Sequence, residues 1–580
     1  MTDHVSILVL PWAWLTCRAR GGQWSISLNP GRDDSGTFKD EEAIGQVDAP
    51  GTGRVYNSST VLILALWPVA TQSVYDVACP QGTIRFGGYV RMGRFIPFAI
   101  FVTCFLVTGS ASATTYYLDY VNGLDSNSGT SKTTPWAHAP GMVGCTATCA
   151  SVTPQPGDRF ILRGGVTWHH DILTWNWQWN GSSGNPIYVG VDQTWFTGAS
   201  WTRPILNGDG TFGNSGPFIQ LGSGRSWVTI DNIEFTGLFW TGVPPYGQVA
   251  YLNIQNATNS GFTNLYMHGW SHGTYASGTR DGAYGIVGQT GFPAADSNAG
   301  SYVDHFTCDG TDTDQASLDC NYAGTQIIRF SIARNVCNGF VGSYTSFHDN
   351  LIENIHPCFD PGNHGNGMES NTSRNAVIYN NVFRHTTEVT LWEAPCCGAT
   401  SYIWNNVIYD TAPANVILIG NPLSGGGGRV EIYNNTVECG PNSDPNASCI
   451  NSQSMLISGI ATNNHFISRS ANIVTGPFIT RNNIVQTGAA ANAEGYTMAN
   501  NFAPTASGKA SVGAALNLTA SCSITAKAGS LATLCDDTTF ANTRTTLARP
   551  ATSAWDAGAY QYSLLSPTRP DPPTNLRIIP

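Results

Sequence analysis

The most frequent pattern in the chain is a short run of alternating apolar and polar residues that contains two adjacent asparagines. Three copies are VIYNNVFRH from Val377, YIWNNVIYD from Tyr402 and EIYNNTVEC from Glu431. The second asparagine falls at positions 381, 406, 435, 464, 483 and 501, which gives gaps of 25, 29, 29, 19 and 18 residues. The alternation predicts β-strands, and its recurrence predicts a stacked repeat architecture.

Weaker copies of this unit precede these, and a last copy follows them. The weaker copies are WVTIDNIEF from Trp227, GFTNLYMH from Gly261, IARNVCNGF from Ile332 and SFHDNLIEN from Ser346, and the last is TMANNFAP from Thr497. No segment has a helical period long enough for helical repeats. We therefore predict an all-β solenoid, a parallel β-helix in which each coil pairs with its neighbours. Asparagine suits its turns because it tolerates left-handed backbone and can bond the same asparagine one coil on.

The repeat also predicts which side chains lie beside each other on successive coils. When the coils are aligned on Asn350 and Asn381, Glu353, Arg384 and Tyr409 fall in one column. Stacked coils lie about 4.8 Å apart, so Glu353 should form an ion pair with Arg384. If exposed, this pair should contribute no more than about 1 kcal/mol.

The next column contains a histidine beside a carboxylate. Four positions after the aligned asparagines, His385 falls between Asn354 and Asp410. His268 stands at the same offset from Asn264, which extends the column upstream. A carboxylate beside His385 would favour the imidazolium form and can orient the ring for catalysis.

The composition fits many short strands joined by polar turns. Charged and aromatic residues each make up 11% of the 580 residues, and 63 residues are glycine. A net charge of −11 argues against a nucleic-acid partner, because phosphate binding requires basic patches. Lysine occurs only at positions 39, 132, 509 and 527, which excludes a lysine base from the central coils.

A secretory signal is predicted at an internal position. A basic start at Met92 is followed by an apolar run over 95–107 and the small residues SASA before Thr114. The run is too short to span a bilayer comfortably. The alternative is a genuine N-terminal segment with a short anchor. We predict a secreted or cell-surface monomer without a transmembrane span in its mature form, divided into a non-native extension (1–91), a signal peptide (92–113), a β-helix domain (114–562) and a Pro-rich tail (563–580).

The mature chain would contain twelve cysteines, an even number that suits an oxidising compartment. Ten of them fall in pairs that are close in sequence, which predicts disulfides that staple local loops. Cys396 and Cys397 are adjacent and stay unassigned, and no cysteine spacing indicates a zinc site. The predicted pairs are Cys145 with Cys149, Cys308 with Cys320, Cys337 with Cys358, Cys439 with Cys449, and Cys522 with Cys535.

Several segments resemble the secreted right-handed parallel β-helix proteins of the pectate-lyase-like superfamily. They are YYLDYVNGLDSNSGTSKTTPW from Tyr116, PGDRFILRGG from Pro156, GSSGNPIYVG from Gly181 and the closing segment RPATSAWDAGAYQY from Arg549. The resemblance covers nearly all of 114–562 and implies a right-handed β-helix. It is weak for chemistry, because this fold carries lyases, hydrolases, epimerases and adhesins.

The candidate site centres on CFDPGNHGNGMES, residues 358–370. Its proline and glycines predict a turn, from which acids and a histidine project. Seven of the twelve histidines lie between His268 and His385, in a chain with few other titratable groups. A groove around 268–393 is therefore predicted, although solvated turn residues would give the same pattern. The candidate catalytic residues are Asp360, His364, Glu369, Arg374, Arg384 and His385.

Three enzyme chemistries stay open for these residues. A lyase would need an arginine or histidine as base, because lysine is absent from these coils. A glycoside hydrolase would need two carboxylates, from Asp360 with Glu369 or Glu369 with Glu388. An epimerase would need groups on both faces of the sugar. The partner expected in each case is a polysaccharide, and the alternative is a non-catalytic carbohydrate-binding or adhesive protein.

Calcium is a possible cofactor on sequence grounds. Asp309, Asp312 and Asp314 lie in CDGTDTDQASLDC, an oxygen-rich segment between two cysteines. The segment lacks the EF-hand spacing, and a solvated acidic loop is an equally good interpretation.

Overall fold

The computed structural model divides the chain into two compact units, Met1–Ala111 and Ser112–Pro580. It describes 4–10, 13–20, 23–30, 74–79, 82–87 and 113–562, except for 213–216, 241–248, 274–281, 289–297, 314–317, 325, 359–363, 374, 412–414, 422–425, 440–447, 454–456, 469–472, 506–508 and 527–528. The predicted signal peptide (except Ala113) and the predicted tail lie outside the described residues. The non-native origin of 1–91 stays a prediction.

The first unit contains two small antiparallel sheets. One has three strands and the other is a hairpin of two strands. The strands of the first are His4–Leu10, Ala13–Arg20 and Gln23–Pro30, and those of the second are Val74–Cys79 and Gly82–Gly87.

The second unit contains three long sheets in which every strand pairs in parallel with the strand one coil away. Sheet 1 consists of Thr115–Leu118, Arg159–Gly164, Ile187–Phe196, Val228–Asp231, Gly261–Thr263, Ser301–Asp304, Gln326–Arg329, Ser346–His348, Val377–Tyr379, Thr400–Trp404, Arg429–Tyr433, Ser458–Thr462 and Phe478–Arg481. Sheet 2 consists of Thr167–Trp168, Ile205–Phe212, Glu234–Trp240, Tyr266–Met267, Ser271–His272, Thr307–Asp309, Ile332–Val336, Leu351–Ile355, Val382–Thr386, Val407–Tyr409, Thr436–Cys439, His465–Ser468 and Ile484–Gln486. Sheet 3 consists of Trp175–Trp177, Ile219–Leu221, Val249–Asn253, Ala283–Val287, Leu318–Ala323, Asn338–Gly342, Met368–Ser373, Leu391–Pro395, Asn415–Ile419, Ser448–Ser452 and Val474–Thr475.

Apart from the first and last coils, the coils contribute to sheets 1, 2 and 3 in the same order, so the chain folds as the predicted right-handed parallel β-helix. The inward side chains of the three sheets form one continuous apolar core along the coils, from Leu118 to Phe466. Each full coil therefore has three turns, one between each pair of sheets.

The predicted asparagine ladder lies at the turn from sheet 1 to sheet 2. Its members are fully or partly buried, and each side-chain amide donates to the next member at 2.9 to 3.0 Å. The residue before each member is an asparagine or aspartate with left-handed backbone, φ between 46° and 61°. The doubled asparagine thus combines a left-handed residue with a ladder residue. The ladder comprises Asn350, Asn381, Asn406, Asn435, Asn464 and Asn483.

The outermost copies of the motif do not extend this ladder. Asn232 and Asn264 have left-handed backbone, but the buried residues that follow them are Ile233 and Leu265. The last copy is not a coil, because Met498–Asn500 forms a short 3-10 helix. The prediction that 501 continues the repeat is therefore wrong.

The remaining elements cap the first coil or belong to residues 488–562, which we call the closing segment. Arg549 anchors it, because this buried side chain donates to Asn405 Oδ1 at 3.0 Å and to carbonyl oxygens of the segment itself. Phe502, Phe540 and Tyr560 pack on sheet 2. The helices are Ala147–Ser151 and Gly488–Ala493, the 3-10 helices His170–Ile172, Met498–Asn500, Thr519–Ser523 and Ala532–Cys535, and the last hairpin pairs Thr525–Ala526 with Gly529–Ser530.

All five predicted disulfides are present. Cys396 is buried and Cys397 is exposed. In the described part of the chain, no helix has both the length and the apolar character needed to span a membrane.

Candidate functional site

The loops from sheet 2 to sheet 3 bring together part of the predicted site. The stretch 358–370 leaves sheet 2 after Leu351–Ile355 and enters sheet 3 at Met368. His364 lies on this loop, and Glu369 lies on the sheet 3 strand that follows it. Arg384 and His385 lie on the sheet 2 strand of the next coil. Asp360 and Arg374 lie outside the described residues.

A pocket of about 270 Å³ opens where sheet 2 ends on three successive coils. The Nδ1 atom of His385 contacts the carboxylate of Asp410, and the backbone N–H of His385 donates to the Asp410 carbonyl at 3.0 Å. The predicted His385–Asp410 contact is therefore confirmed. An Nδ1–H bonded to a carboxylate leaves Nε2 of the neutral ring as the proton acceptor. The pocket is lined by Asn354, Ile355, His356, His385, Thr386, Thr387, Asp410 and Thr411.

A second imidazole, His356, lines the same pocket in a different environment. Burial lowers its pKa, because desolvation disfavours the charged ring. Its Nε2 atom is buried and has no hydrogen-bond partner among the described residues. The pocket therefore combines an imidazole paired with a carboxylate and an imidazole that favours the neutral form.

Glu438 lies next to this pair on the following coil. Its Oε2 atom accepts a hydrogen bond from the backbone N–H of Asp410 at 2.7 Å. Burial raises the pKa of Glu438, and the nearby charge of Asp410 acts in the same direction, although the hydrogen bond opposes both. A carboxyl group with a raised pKa beside an imidazole–carboxylate pair is suited to proton transfer.

A network of acids and amides on sheet 3 lies beside the pocket. Glu369 accepts from the Asn366 amide at 2.6 Å, and the Asn366 backbone N–H donates to Asn338 Oδ1 at 2.8 Å. Asn338 in turn donates to Asp319 at 2.8 Å. The network is well buried, since Asp319, Asn338 and Asn366 are at most 3% exposed.

The loop residues His364 and Gly365 join this network to the pocket. His364 Nδ1 lies 3.0 Å from Glu388 Oε2. A Cβ atom at Gly365 would lie 2.8 Å from the His356 carbonyl oxygen and 3.1 Å from Thr387 Oγ1, both in residues that line the pocket. Predicted residues His364 and Glu369 therefore lie on the same side of the coils as His385.

Arg384 belongs to a column of charges on the outer face of sheet 2. Its Nε atom donates to Glu353 Oε2 at 2.7 Å, in the predicted register, and an NH group donates to the Tyr409 hydroxyl at 3.2 Å. On the other side of Glu353, Arg334 is bound to Asp309 at 2.5 Å. Glu353 and Tyr409 therefore bind the guanidinium group of Arg384 from two sides and hold it on the outer face of sheet 2, next to His385 in sequence.

His268 occupies this charged column and not the column of His385. Its neighbour Met267 pairs with Cys308, so His268 is in register with Asp309. The prediction that His268 shares the column of His385 is wrong, because Asn264 matches the left-handed position and not the ladder position. Bonds to Glu234 and Asp312 offset burial and raise the pKa of His268.

The residues expected to bind calcium have protein partners. Asp309 is paired with Arg334, and Asp312 Oδ2 lies 2.8 Å from His268 Nδ1. Asp314 lies outside the described residues. The calcium site stays a prediction, and such a site would have to compete with these two cations. Among the described residues, one group has three potential metal-ligand atoms close together, and it consists of Asp319, Cys337 and Cys358. The two cysteines form a disulfide, so they provide no thiolate for a metal ion.

The structure separates the seven histidines of the predicted cluster. His356, His364 and His385 lie at the turn from sheet 2 to sheet 3, whereas His305 and His348 lie at the turn from sheet 1 to sheet 2. Asp319, His356 and Glu438 were not among the predicted site residues. His356 immediately precedes Pro357 and Cys358, so its position beside the predicted loop was the available signal. The raised pKa of Glu438 depends on its burial beside Asp410, which the sequence pattern does not indicate.

No protein-family model matches the chain, and no curated protein matches it. Among solved structures, it is similar to a rhamnogalacturonan lyase, at 14% identity and a TM-score of 0.31, over 64% of this chain and 87% of that chain. It is also similar to an alginate lyase from Paenibacillus, at 12% identity and a TM-score of 0.25, over 56% of this chain and 92% of that chain. These values are too low to support an argument, and the fold rests on the three parallel sheets.

Proposed function

We propose that the protein is an extracellular enzyme that cleaves or modifies a polysaccharide, with proton transfer in the pocket of His356, His385 and Asp410. The observation that carries the proposal is the pocket itself, which places two imidazoles in different environments against one cavity. Five disulfides fit an oxidising compartment.

The two imidazoles suit different tasks. A neutral His356 is the form that accepts a proton, because burial disfavours its imidazolium. Asp410 contacts Nδ1 of His385 and orients its ring, which leaves the Nε2 atom to exchange a proton with a substrate. Asn354, Asp410 and the threonines that line the pocket are candidates to bond sugar hydroxyl groups.

The full chain, purified from a secreting host, should be incubated with a panel of acidic and neutral polysaccharides, with and without calcium. Ultraviolet absorbance detects the unsaturated product of a lyase, new reducing ends detect hydrolysis, and composition analysis of the polymer detects epimerisation. An active wild type should lose at least about 100-fold in rate in His356→Asn and in Asp410→Asn. Activity that persists in both variants would overturn the assignment of this pocket. A chain that binds glycans and changes none of them would favour a non-catalytic binding protein.

A further inference from the structure

The side of the molecule that contains the pocket is rich in carboxylates. Five acids lie on the described part of the site, and each is bound by an amide, an imidazole or a backbone N–H. Burial raises the pKa of Glu438, and the nearby charge of Asp410 acts in the same direction. The five acids are Asp319, Glu369, Glu388, Asp410 and Glu438.

The described coils around the site offer no cation that lacks a carboxylate partner. No lysine occurs between 133 and 508. Between 319 and 439, Arg374 lies outside the described residues, and the other four arginines each pair with an acid. These pairs are Arg329 with Asp304, Arg334 with Asp309, Arg384 with Glu353, and Arg429 with Glu431.

Arg384 is the arginine closest in sequence to the pocket, and it is held away from a substrate anion. Glu353 and the Tyr409 hydroxyl bind it on two sides, and Tyr409 is fixed by stacking on Phe502 at 4.4 Å. Turning Arg384 toward a ligand would leave the carboxylate of Glu353 without this bond, although it is only 11% exposed. Leaving a buried carboxylate without its partner is unfavourable.

A sugar carboxylate in the pocket would therefore face the carboxylate of Asp410, which lines it, and Glu438 lies behind Asp410 on the next coil. His385 is bound to Asp410 through Nδ1, so it does not provide a cation without a carboxylate partner. Sugar hydroxyl groups, in contrast, can donate to these carboxylates and exchange hydrogen bonds with the threonines and Asn354.

We infer that the sugar unit bound in this pocket is uncharged, so that the substrate is a neutral polysaccharide and not a polyuronate. The inference rests on the proposed function for its site. It also bears on the product, because β-elimination requires a uronate carboxyl or its ester beside the abstracted proton. Hydrolysis of a neutral chain that contains no uronate units consumes water and yields a new reducing end without an unsaturated product.

The test compares binding of polyuronates with binding of the same polymers after complete methyl esterification, which replaces each carboxylate by an uncharged methyl ester. Neutral glucans, xylans and galactans complete the panel. The full chain should be retained by at least one uncharged polymer in affinity electrophoresis with a chelator present. Each free polyuronate should bind at least tenfold more weakly than its ester, or not at all.

Variants test whether the acids cause this discrimination. Asp410→Asn and Glu438→Gln should each reduce the preference for the uncharged polymer by several fold, because they remove the repulsion. Glu431→Gln, on the outer face of sheet 1, is the matched control and should leave the preference unchanged. A polyuronate that binds the wild type as tightly as its ester does would overturn the inference, in the presence of a chelator or of added calcium.

The outcomes separate the inference from the proposed function. If a neutral polymer binds and no product forms, the inference of an uncharged ligand stands and the proposed enzymatic function is overturned. If a polyuronate gives an unsaturated product, the inference is overturned and the proposed enzymatic function stands. Failure to bind any polymer of the panel would overturn both.

Discussion

The two turns that flank sheet 2 share a left-handed backbone conformation but differ in how far their side chains are buried. At the turn from sheet 1, Asn380 and Asn405 have φ of 58° and 55°, and at the turn to sheet 3, Asn354 and His385 have φ of 52° and 53°. The first turn is buried by the ladder and the closing segment, whereas the second surrounds an open pocket. Left-handed backbone is therefore common to both turns, and only the uncovered turn leaves side chains accessible to a ligand.

Histidines at the two turns make the same contrast. His465 lies at the start of its sheet 2 strand, beside the first turn, fully buried against Tyr496 of the closing segment, with rings 4.2 Å apart. Burial lowers its pKa to about 4, so the ring stays neutral. His385 is half exposed and contacts Asp410. The surroundings of each ring, and not the residue type, distinguish a packed side chain from a candidate catalytic group.

The largest effect should come from a break in the buried turn. Asn406→Ala removes the acceptor of the Asn381 backbone N–H and side-chain amide, and it leaves the Ile378 carbonyl and Asn435 Oδ1 without this donor. Buried groups left without partners cost about 1–3 kcal/mol each, so we expect at least about 3 kcal/mol of destabilisation in urea unfolding.

The matched control for the ladder variant is Asn380→Gly. Asn380 holds the left-handed position, which glycine adopts without strain, and its Oδ1 has no partner among the described residues. We expect a change within about 0.5 kcal/mol. Equal destabilisation by the two variants would mean that the ladder contributes no more than the turn around it.

At the open turn, His385→Asn should reduce activity at least about 100-fold and leave the unfolding midpoint unchanged. Asparagine keeps the left-handed backbone, so the change removes only the imidazole. His305→Asn is the matched control, because His305 has φ of 52°, contacts Asp304 and is also about half exposed, but lies at the other turn. Loss of activity in both variants, or a lower midpoint in His385→Asn, would show that the two turns do not differ as described.

The fold could be predicted because its pattern is local and repeated. The doubled asparagine predicted both the repeating coil and the ladder of stacked side chains. The alignment of Asn350 with Asn381 correctly predicted that Glu353 lies beside Arg384. The same rule failed at Asn264, because a single asparagine does not reveal whether it holds the left-handed position or the ladder position. The sequence also could not show that Arg384 is occupied on both sides, or that His356 and Glu438 are buried, since these depend on loops from different coils.

A pH titration tests the covered histidine. The pKa of His465 is about 4 in the folded chain and 6.5 as a model value, so the unfolded chain takes up the proton first as the pH falls. Its contribution is therefore present above pH 6.5 and is lost between about pH 6.5 and 4, by up to about 3 kcal/mol. Urea unfolding of His465→Gln should lack this part of the decline.

Glu393 provides a control of opposite sign. Burial raises the pKa of this carboxyl to about 7 from a model value of 4.5. Its contribution is present below pH 4.5 and is lost as the pH rises to 7, because only the unfolded chain ionises there. Glu393→Gln should remove that loss and leave the acidic decline in place. A His465→Gln profile parallel to the wild type would show that the covered turn does not keep His465 neutral.

The smallest effect should come from the charged column between the two turns. Glu353 and Arg384 are bonded at 2.7 Å on a face that is only partly buried, and Arg334 Nη1 lies 4.0 Å from Glu353. Because Arg334 can partly compensate, a double-mutant cycle with Glu353→Gln and Arg384→Met should give a coupling energy of about 1 kcal/mol. Activity measured in the same variants should fall only slightly, since the column lies next to the pocket and does not line it.

A loss of activity in Arg384→Met as large as that in His385→Asn would place Arg384 in contact with the substrate. The division between a scaffold column and a reactive turn would then be wrong.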